Sequence, residues 1–197
     1  ADLGKFIRYE KKQFNNVVFP YIDVNERISE KIKKSFFDKN KMLIGISWTS
    51  KAEMGSEKSI DYKSLVTIFN LQNTSFIDLE YQNSEEDKKN IYKMTGKKIH
   101  RINEVDYYNN ILGVSSIIST CDLIITCSNV NAHISGALGK KTFLLLPLGK
   151  GRLLNWSSEK NHSIWYPSIK IFQQTKPGDW SDPINKIEEE ILKCQSC

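Results

Sequence analysis

The chain has 197 residues, 40% of them apolar, and a formal net charge of +5. That length suits one sizeable α/β domain or two small ones. No apolar run approaches the roughly 20 residues a membrane span needs. The N-terminus has no signal-peptide core, and Lys and Arg are too mixed with acids for a nucleic-acid arm, although the positive excess suits an anionic ligand.

Residues 1–25 show little periodicity. Val17-Val18-Phe19-Pro20-Tyr21-Ile22 is apolar and broken by proline, as in a connector that packs against something. The chain starts with Ala rather than Met, so a fragment or processed product is expected. Asn25 can cap a helix to Lys39, with Ile28, Ile32 and Phe36 or Phe37 on one face. Met42–Trp48 reads as the first buried strand. A polar loop with one glycine follows to Ser59. Asp61 caps a helix through Phe69, Ser75–Glu80 is the second strand, and Ser84–Thr95 is a helix that Gly96 ends. Lys98–Arg101 is a short third strand, and Asn109–Thr120 a helix.

The stretch Cys121–Pro147 carries the strongest pattern. Asp122–Thr126 is a run of branched apolar residues, as in a strand buried on both faces. Cys127-Ser128-Asn129-Val130-Asn131 is a polar turn suited to a helix N-cap. Ala132–Leu138 is helical in pattern, with Gly139 just past its end, and Thr142–Leu146 is the fifth strand. A loop with Gly149, Gly151 and Arg152 leads on to a last strand, Ser168–Phe172, and a last helix, Pro183–Cys194, with Ile184, Ile187 and Ile191 on one side.

Strands alternating with helices predict an α/β fold: a doubly wound parallel sheet, Rossmann-like, in three α/β/α layers, with strand order 3-2-1-4-5-6. Ligands of such sheets bind at the carboxyl ends of the strands, beside the switch point between strands 1 and 4. There the loop after Trp48 brings Lys51 to the Ser128–His133 turn. A helix N-terminus favours an anion, usually phosphate, and a nitrogen of His133 could donate to it. The residues equally allow Ser128 or Asn129 to be simple caps and His133 a packing residue. No G-x-G-x-x-G or G-x-x-x-x-G-K-[ST] is present, which argues against a standard dinucleotide or Walker-type site. Cys194 and Cys197 form a lone CxxC without a second pair or a nearby His, so no zinc site is expected. Cys121 and Cys127 flank a buried strand, and free thiols suit a reducing, cytoplasmic compartment.

Four motifs in fixed order carry a family resemblance: Gly45-Ile46-Ser47-Trp48-x-x-Lys51; Ser128-Asn129-x-x-Ala132-His133-x-x-Gly136-Ala137-Leu138-Gly139; Trp165-Tyr166-Pro167-Ser168; and Gly178-Asp179-Trp180. Together they resemble the C-terminal, donor-binding half of heptosyltransferase-like glycosyltransferases of the GT-B fold, most of all the glycosyltransferase part of bacterial TPR-repeat proteins. The resemblance spans about residues 15–195. It implies a nucleoside-diphosphate sugar as donor, with Lys51 and the Ser128–His133 turn, including Asn129 and Asn131, on the diphosphate, and no metal. Trp48 and Asp106 join the implied donor site. The two Trp-containing motifs near the C-terminus read as structural. Val130-Asn131 departs from a common pair of threonines, Glu80 stands where glutamine is common, and Asn109-Asn110 lie near a usual acidic position.

Relatives of this kind place the acceptor site on a preceding domain. Only about 40 residues precede the first strand, so residues 1–25 are expected to be a connector and remnant of a missing N-terminal domain. Residues 26–197 would be the nucleotide-sugar-binding domain, with the apolar 17–22 segment covered by that domain or by self-association. His133, Glu53, Glu57 and Asp106 are the candidate bases, none of them singled out. A nucleotide-binding module without transfer activity and a partner-binding α/β domain are the rival readings.

Overall fold

The computed structural model describes residues 10, 14, 17–36, 38–51, 55–82, 84–149, 156, 158–159 and 161–195. Helix α1 is Glu26–Phe36, β1 Met42–Ser47 and α2 Gly55–Lys58; a 3₁₀ turn at Tyr62–Leu65 runs into α3, Val66–Phe69. Strand β2 is Thr74–Asp78, α4 Glu85–Thr95, β3 Ile99–His100, α5 Ile111–Thr120, β4 Leu123–Cys127, α6 Val130–Ala137 and β5 Thr142–Leu146. The chain then forms β6 Ser158–Glu159, β7 His162–Ser163, β8 Ile169–Gln173 and α7 Ser181–Gln195.

Among the described residues eight strands form one sheet in the order β3-β2-β1-β4-β5-β8-β7-β6. The six strands expected from the sequence are present, pair in parallel and keep the expected order, β8 being the sixth. The short β6–β7 hairpin adds antiparallel pairing at one edge.

Several ends differ from the sequence reading. The first helix stops at Phe36, and Asn25 caps it by accepting from the Ile28 N–H at 3.2 Å. Asp61 accepts from the Lys63 N–H and so caps a 3₁₀ turn rather than a regular helix. The loop after β1 contains the short helix α2. Helix α6 starts two residues earlier than expected, because Asn129 is its N-cap and accepts from the Asn131 N–H.

The sheet is covered on both faces. On one, Ile68, Phe69 and Ile91 with Ile184, Ile187 and Ile191 of α7 meet Ile44, Ile46, Phe76 and Ile125. On the other, Ile32 of α1 and Ile117 and Ile118 of α5 meet Leu43, Ile77 and Ile124. Each fully buried side chain of this kind contributes about 1.5–3 kcal/mol by leaving water. Strands buried on both faces explain why they read as continuous apolar runs. The 17–22 segment is partly docked: Tyr21 donates its N–H to the Ala137 carbonyl at 3.1 Å and Ile22 packs on the α1–α5 cluster. Val18 stays 83% exposed.

Candidate functional site

The carboxyl ends of β1 and β4 lie side by side, with Ser47 paired to Thr126. A cleft of about 430 Å³ opens above them. Lys51, Lys58, Ser128, Asn129 and His133 line one part of it, and Tyr81, Tyr107, Tyr108, Ile111 and Val130 another. The cleft is thus cationic on one side and aromatic on the other, and none of the described residues lining it is a carboxylate.

Lys51 is exposed at this cleft. Lys58 is the cation that the sequence reading missed. It is only 3% exposed, yet it lines the cleft, and no described residue pairs with it. The fold of the preceding loop brings it there. Ser50 and Ser59 close the loop: the Ser50 N–H donates to the Ser59 hydroxyl at 3.0 Å, and that hydroxyl donates to the Gly55 carbonyl at 2.7 Å. A Cβ on Gly55 would sit 2.1 Å from the Ser50 carbonyl oxygen, so only glycine allows this closure. One turn of helix then directs Lys58 inward. The stem of Lys58 is buried while its ammonium, which is not among the buried atoms left without a partner, reaches the cleft, where it can meet an anion.

The Ser128–His133 turn is anchored by its own side chains. The Ser128 hydroxyl accepts from the Trp156 indole N–H at 2.8 Å. The Asn129 amide donates to the Ser47 hydroxyl and the Thr49 carbonyl, both at 3.1 Å. Asn131, 2% exposed, donates to the Leu79 carbonyl at 2.8 Å and to the Ser47 hydroxyl at 3.2 Å. These bonds fix the start of α6 against β1 and β2 and leave the helix dipole facing the cleft. Asn131 is therefore a brace beneath the site and does not line it. His133 lines the cleft while stacking on Trp156, ring centroids 4.7 Å apart, and its Nδ1 lies 3.3 Å from the Tyr166 hydroxyl. Burial lowers its pKa below the ordinary histidine value, which favours the neutral ring.

Trp48 and Asp106 fall outside the lining. Trp48 is 1% exposed and packs in the core, edge-on to Phe69, with its indole N–H directed to Asp87 at 3.2 Å. Asp106 is exposed and accepts from the Tyr108 and Asn109 N–H groups, which shapes the turn that presents Tyr107 and Tyr108. Of the candidate bases, Glu57 is exposed and lines a separate cleft, while Glu53 lies outside the described residues, as do Gly151 and Arg152. Trp180 is a core residue and Tyr166 packs beneath α6.

Glu80, at the end of β2, holds the loop that carries Lys51. Its carboxylate accepts from the backbone N–H groups of Trp48 and Thr49 and from the Thr49 hydroxyl. Burial nonetheless pushes its pKa up to about 7, with Asp78 adding to the rise. Asp78 is fully buried and paired with Arg101 at 2.9 Å and Lys88 at 3.3 Å. A larger groove, about 690 Å³, runs along α4 and β3, but it lies at the sheet edge and its Lys88 and Arg101 are spent on Asp78. Among the described residues no group of three or more His, Cys, Asp or Glu is placed to hold a metal, and no helix is long and apolar enough to cross a membrane. Cys194 accepts from Lys141 at 2.8 Å; Cys197 lies outside the described residues.

No family model matches the chain. It is 21% identical over 147 residues to Protein FlbA of Caulobacter vibrioides, covering 73% of this chain and 24% of that one. Solved structures of similar shape include a family 9 glycosyl transferase from Veillonella parvula, with TM-score 0.57 and 12% identity over 89% of this chain. The E. coli ADP-heptose LPS heptosyltransferase II has TM-score 0.60 and 14% identity over 96%. E. coli heptosyltransferase WaaC with ADP-2-deoxy-2-fluoro heptose has TM-score 0.55 and 9% identity over 89%. The chain spans 52%, 58% and 50% of these three proteins and about a quarter of the curated relative. The mostly parallel α/β sheet described above is the fold that this chain shares with these heptosyltransferase-like glycosyltransferases.

Proposed function

We propose that this chain is the donor-binding part of a glycosyltransferase that takes its sugar from a nucleoside diphosphate. The diphosphate lies between Lys51, Lys58 and the N-terminus of α6. The base sits toward the aromatic side of the cleft, beside Tyr107 and Tyr108. Lys58 is the observation that carries the reading, because its stem is buried, no described residue pairs with its ammonium, and it lines the cleft at a helix start. The shared fold and the ADP-heptose in the names of two neighbours support it.

When the glycosidic bond of the donor breaks, negative charge grows on the departing diphosphate. Two ammonium groups and a helix dipole aimed at that charge stabilise it, and they do so most strongly out of water. The acceptor and the group that takes its proton come from elsewhere, with residues before 26 serving as the connector to that part. The test is calorimetric titration of the chain with ADP, UDP and GDP. One of them should bind saturably and raise the melting temperature, by about 2.7 kcal/mol of stability at about 100 times its dissociation constant. No binding of any of the three would end this reading.

A further inference from the structure

A second cleft, of about 590 Å³, lies at the carboxyl ends of β5 and β8. Helix α2 separates it from the first: Lys58 lines the one and Glu57 the other. The second cleft has the opposite character. Among the described residues its lining includes no Lys, Arg or His, but it holds Glu57, Asp61 and Gln174 over an apolar wall of Leu148, Pro177 and Trp180.

Gln174 is the informative residue. It is 3% exposed. Its side-chain oxygen accepts from the Leu148 N–H at 3.1 Å and the Gly178 N–H at 3.3 Å. That fixes the amide, and its nitrogen is left buried with no hydrogen-bond partner. A buried donor of this kind costs stability unless something supplies an acceptor. The two exposed carboxylates that line the same cleft, Asp61 already accepting from the Lys63 N–H, can only accept hydrogen bonds. An anion would satisfy the amide and be repelled by the carboxylates. A cation would satisfy the carboxylates and leave the amide orphaned. A hydroxyl group serves both, because it donates and accepts. Several hydroxyls on a ring with apolar C–H faces also suit a wall of proline and indole. The volume is within the roughly 300–1,000 Å³ of small-molecule sites.

We infer that this second cleft binds an uncharged sugar ring, with Gln174 donating to one ring hydroxyl and Glu57 and Asp61 accepting from others. The ring comes either from a free glycan or from the sugar of a donor whose diphosphate occupies the first cleft. Only the second source rests on the function proposed above.

The experiment is NMR on the ¹⁵N-labelled full chain, reading the Gln174 side-chain amide and the Trp180 indole. One arm adds methyl glycosides of glucose, mannose and N-acetylglucosamine. Another adds ADP-glucose, GDP-mannose and UDP-N-acetylglucosamine, and a third adds ADP, GDP and UDP alone. Saturable movement of both signals with a methyl glycoside supports the site with a free glycan as source. Movement only when the sugar is joined to a nucleotide supports it with the donor as source. The nucleotides alone are read at Ser128, Asn129 and His133, so failure of the first cleft is seen separately. Glu57→Gln, an exposed change without risk to folding, should weaken the sugar response about tenfold, the scale of one charge-assisted hydrogen bond. Silence of both signals in every sugar arm would overturn the inference, as would a response unchanged by Glu57→Gln.

Discussion

The Glu80 carboxylate holds the Thr49 backbone across neighbouring strands, accepting its N–H at 2.8 Å while also accepting from the Thr49 hydroxyl and the Trp48 N–H. One side chain at the end of β2 thereby sets the path of the loop that leaves β1 for Lys51. The residue is 1% exposed, so the three donors offset the loss of water around a charge only in part, and the pKa stands near 7.

That raised pKa predicts a pH dependence. The folded chain holds the Glu80 proton to about pH 7, while the unfolded chain releases it near 4.5. Stability from this group is therefore full below 4.5, declines as pH rises through that window, and stays reduced above 7. Glu80→Gln removes the titration, and its amide can still bond the same three groups. Its stability relative to the parent should rise between these limits by an amount on the order of 3 kcal/mol at most. Thermal melts of both proteins across that range would refute this if the difference between them stayed constant.

Lys58→Met should weaken binding of the preferred nucleoside diphosphate by about 1.5–3 kcal/mol, the range for a hydrogen bond to a charged group, or roughly 10- to 150-fold. Lys51→Ala should cost less, because Lys51 is exposed and its attraction is screened by water. Lys58→Met should leave the melting temperature of the free chain nearly unchanged, since the buried stem is replaced by an apolar side chain of similar length. Calorimetry giving Lys51 the larger loss would remove Lys58 from the centre of the site.

The two lysines also show which parts of the site were legible. The strand order was readable because each central strand is a continuous apolar run between polar turns, and parallel topology then fixes the switch point. Lys51 and the Ser128–His133 turn followed from that topology. Lys58 did not, because residues 49–59 carry no apolar period; its inward direction depends on Gly55 closing the loop onto Ser50. The clue available was a glycine three residues before a lysine that itself precedes the buried Ile60 by two. Trp48 illustrates the opposite error. An aromatic residue next to a site motif fills the core behind it. The β6–β7 hairpin has two-residue strands, too short for any alternation to register.

Gly136→Ala tests how α6 is seated. In a helix interior alanine is favoured over glycine by about 1 kcal/mol. Here the added Cβ would lie 2.4–2.9 Å from Cγ, Cδ1 and Cβ of Tyr166, atoms at the root of the side chain that cannot swing aside. Overpacking costs about 1–3 kcal/mol, and three contacts below 3.0 Å at atoms that cannot move put this case in the upper half, about 2–3 kcal/mol, so the net change should be a loss of about 1–2 kcal/mol, or roughly 2–8 °C in melting temperature. Displacing Tyr166 should also disturb His133, its ring neighbour at 5.8 Å between centroids. A melting temperature equal to or above that of the parent would show that α6 and Tyr166 are not tightly packed.

Diphosphate binding should not depend on a divalent metal. A metal bridging a diphosphate needs hard oxygen ligands, usually carboxylates, from the protein, and none of the described residues lining the first cleft is Asp or Glu. In the proposed site the charge is instead met by Lys51, Lys58 and the start of α6. Glu57 and Asp61, the carboxylates of the second cleft, lie across α2 from it. Affinity for ADP, UDP or GDP should therefore be the same with EDTA as with excess magnesium, apart from a small loss in magnesium because the ion competes with the lysines for the free nucleotide. Binding abolished by EDTA and restored by magnesium would mean that carboxylates reach the diphosphate after all, and Glu57→Gln would then be the first variant to lose it.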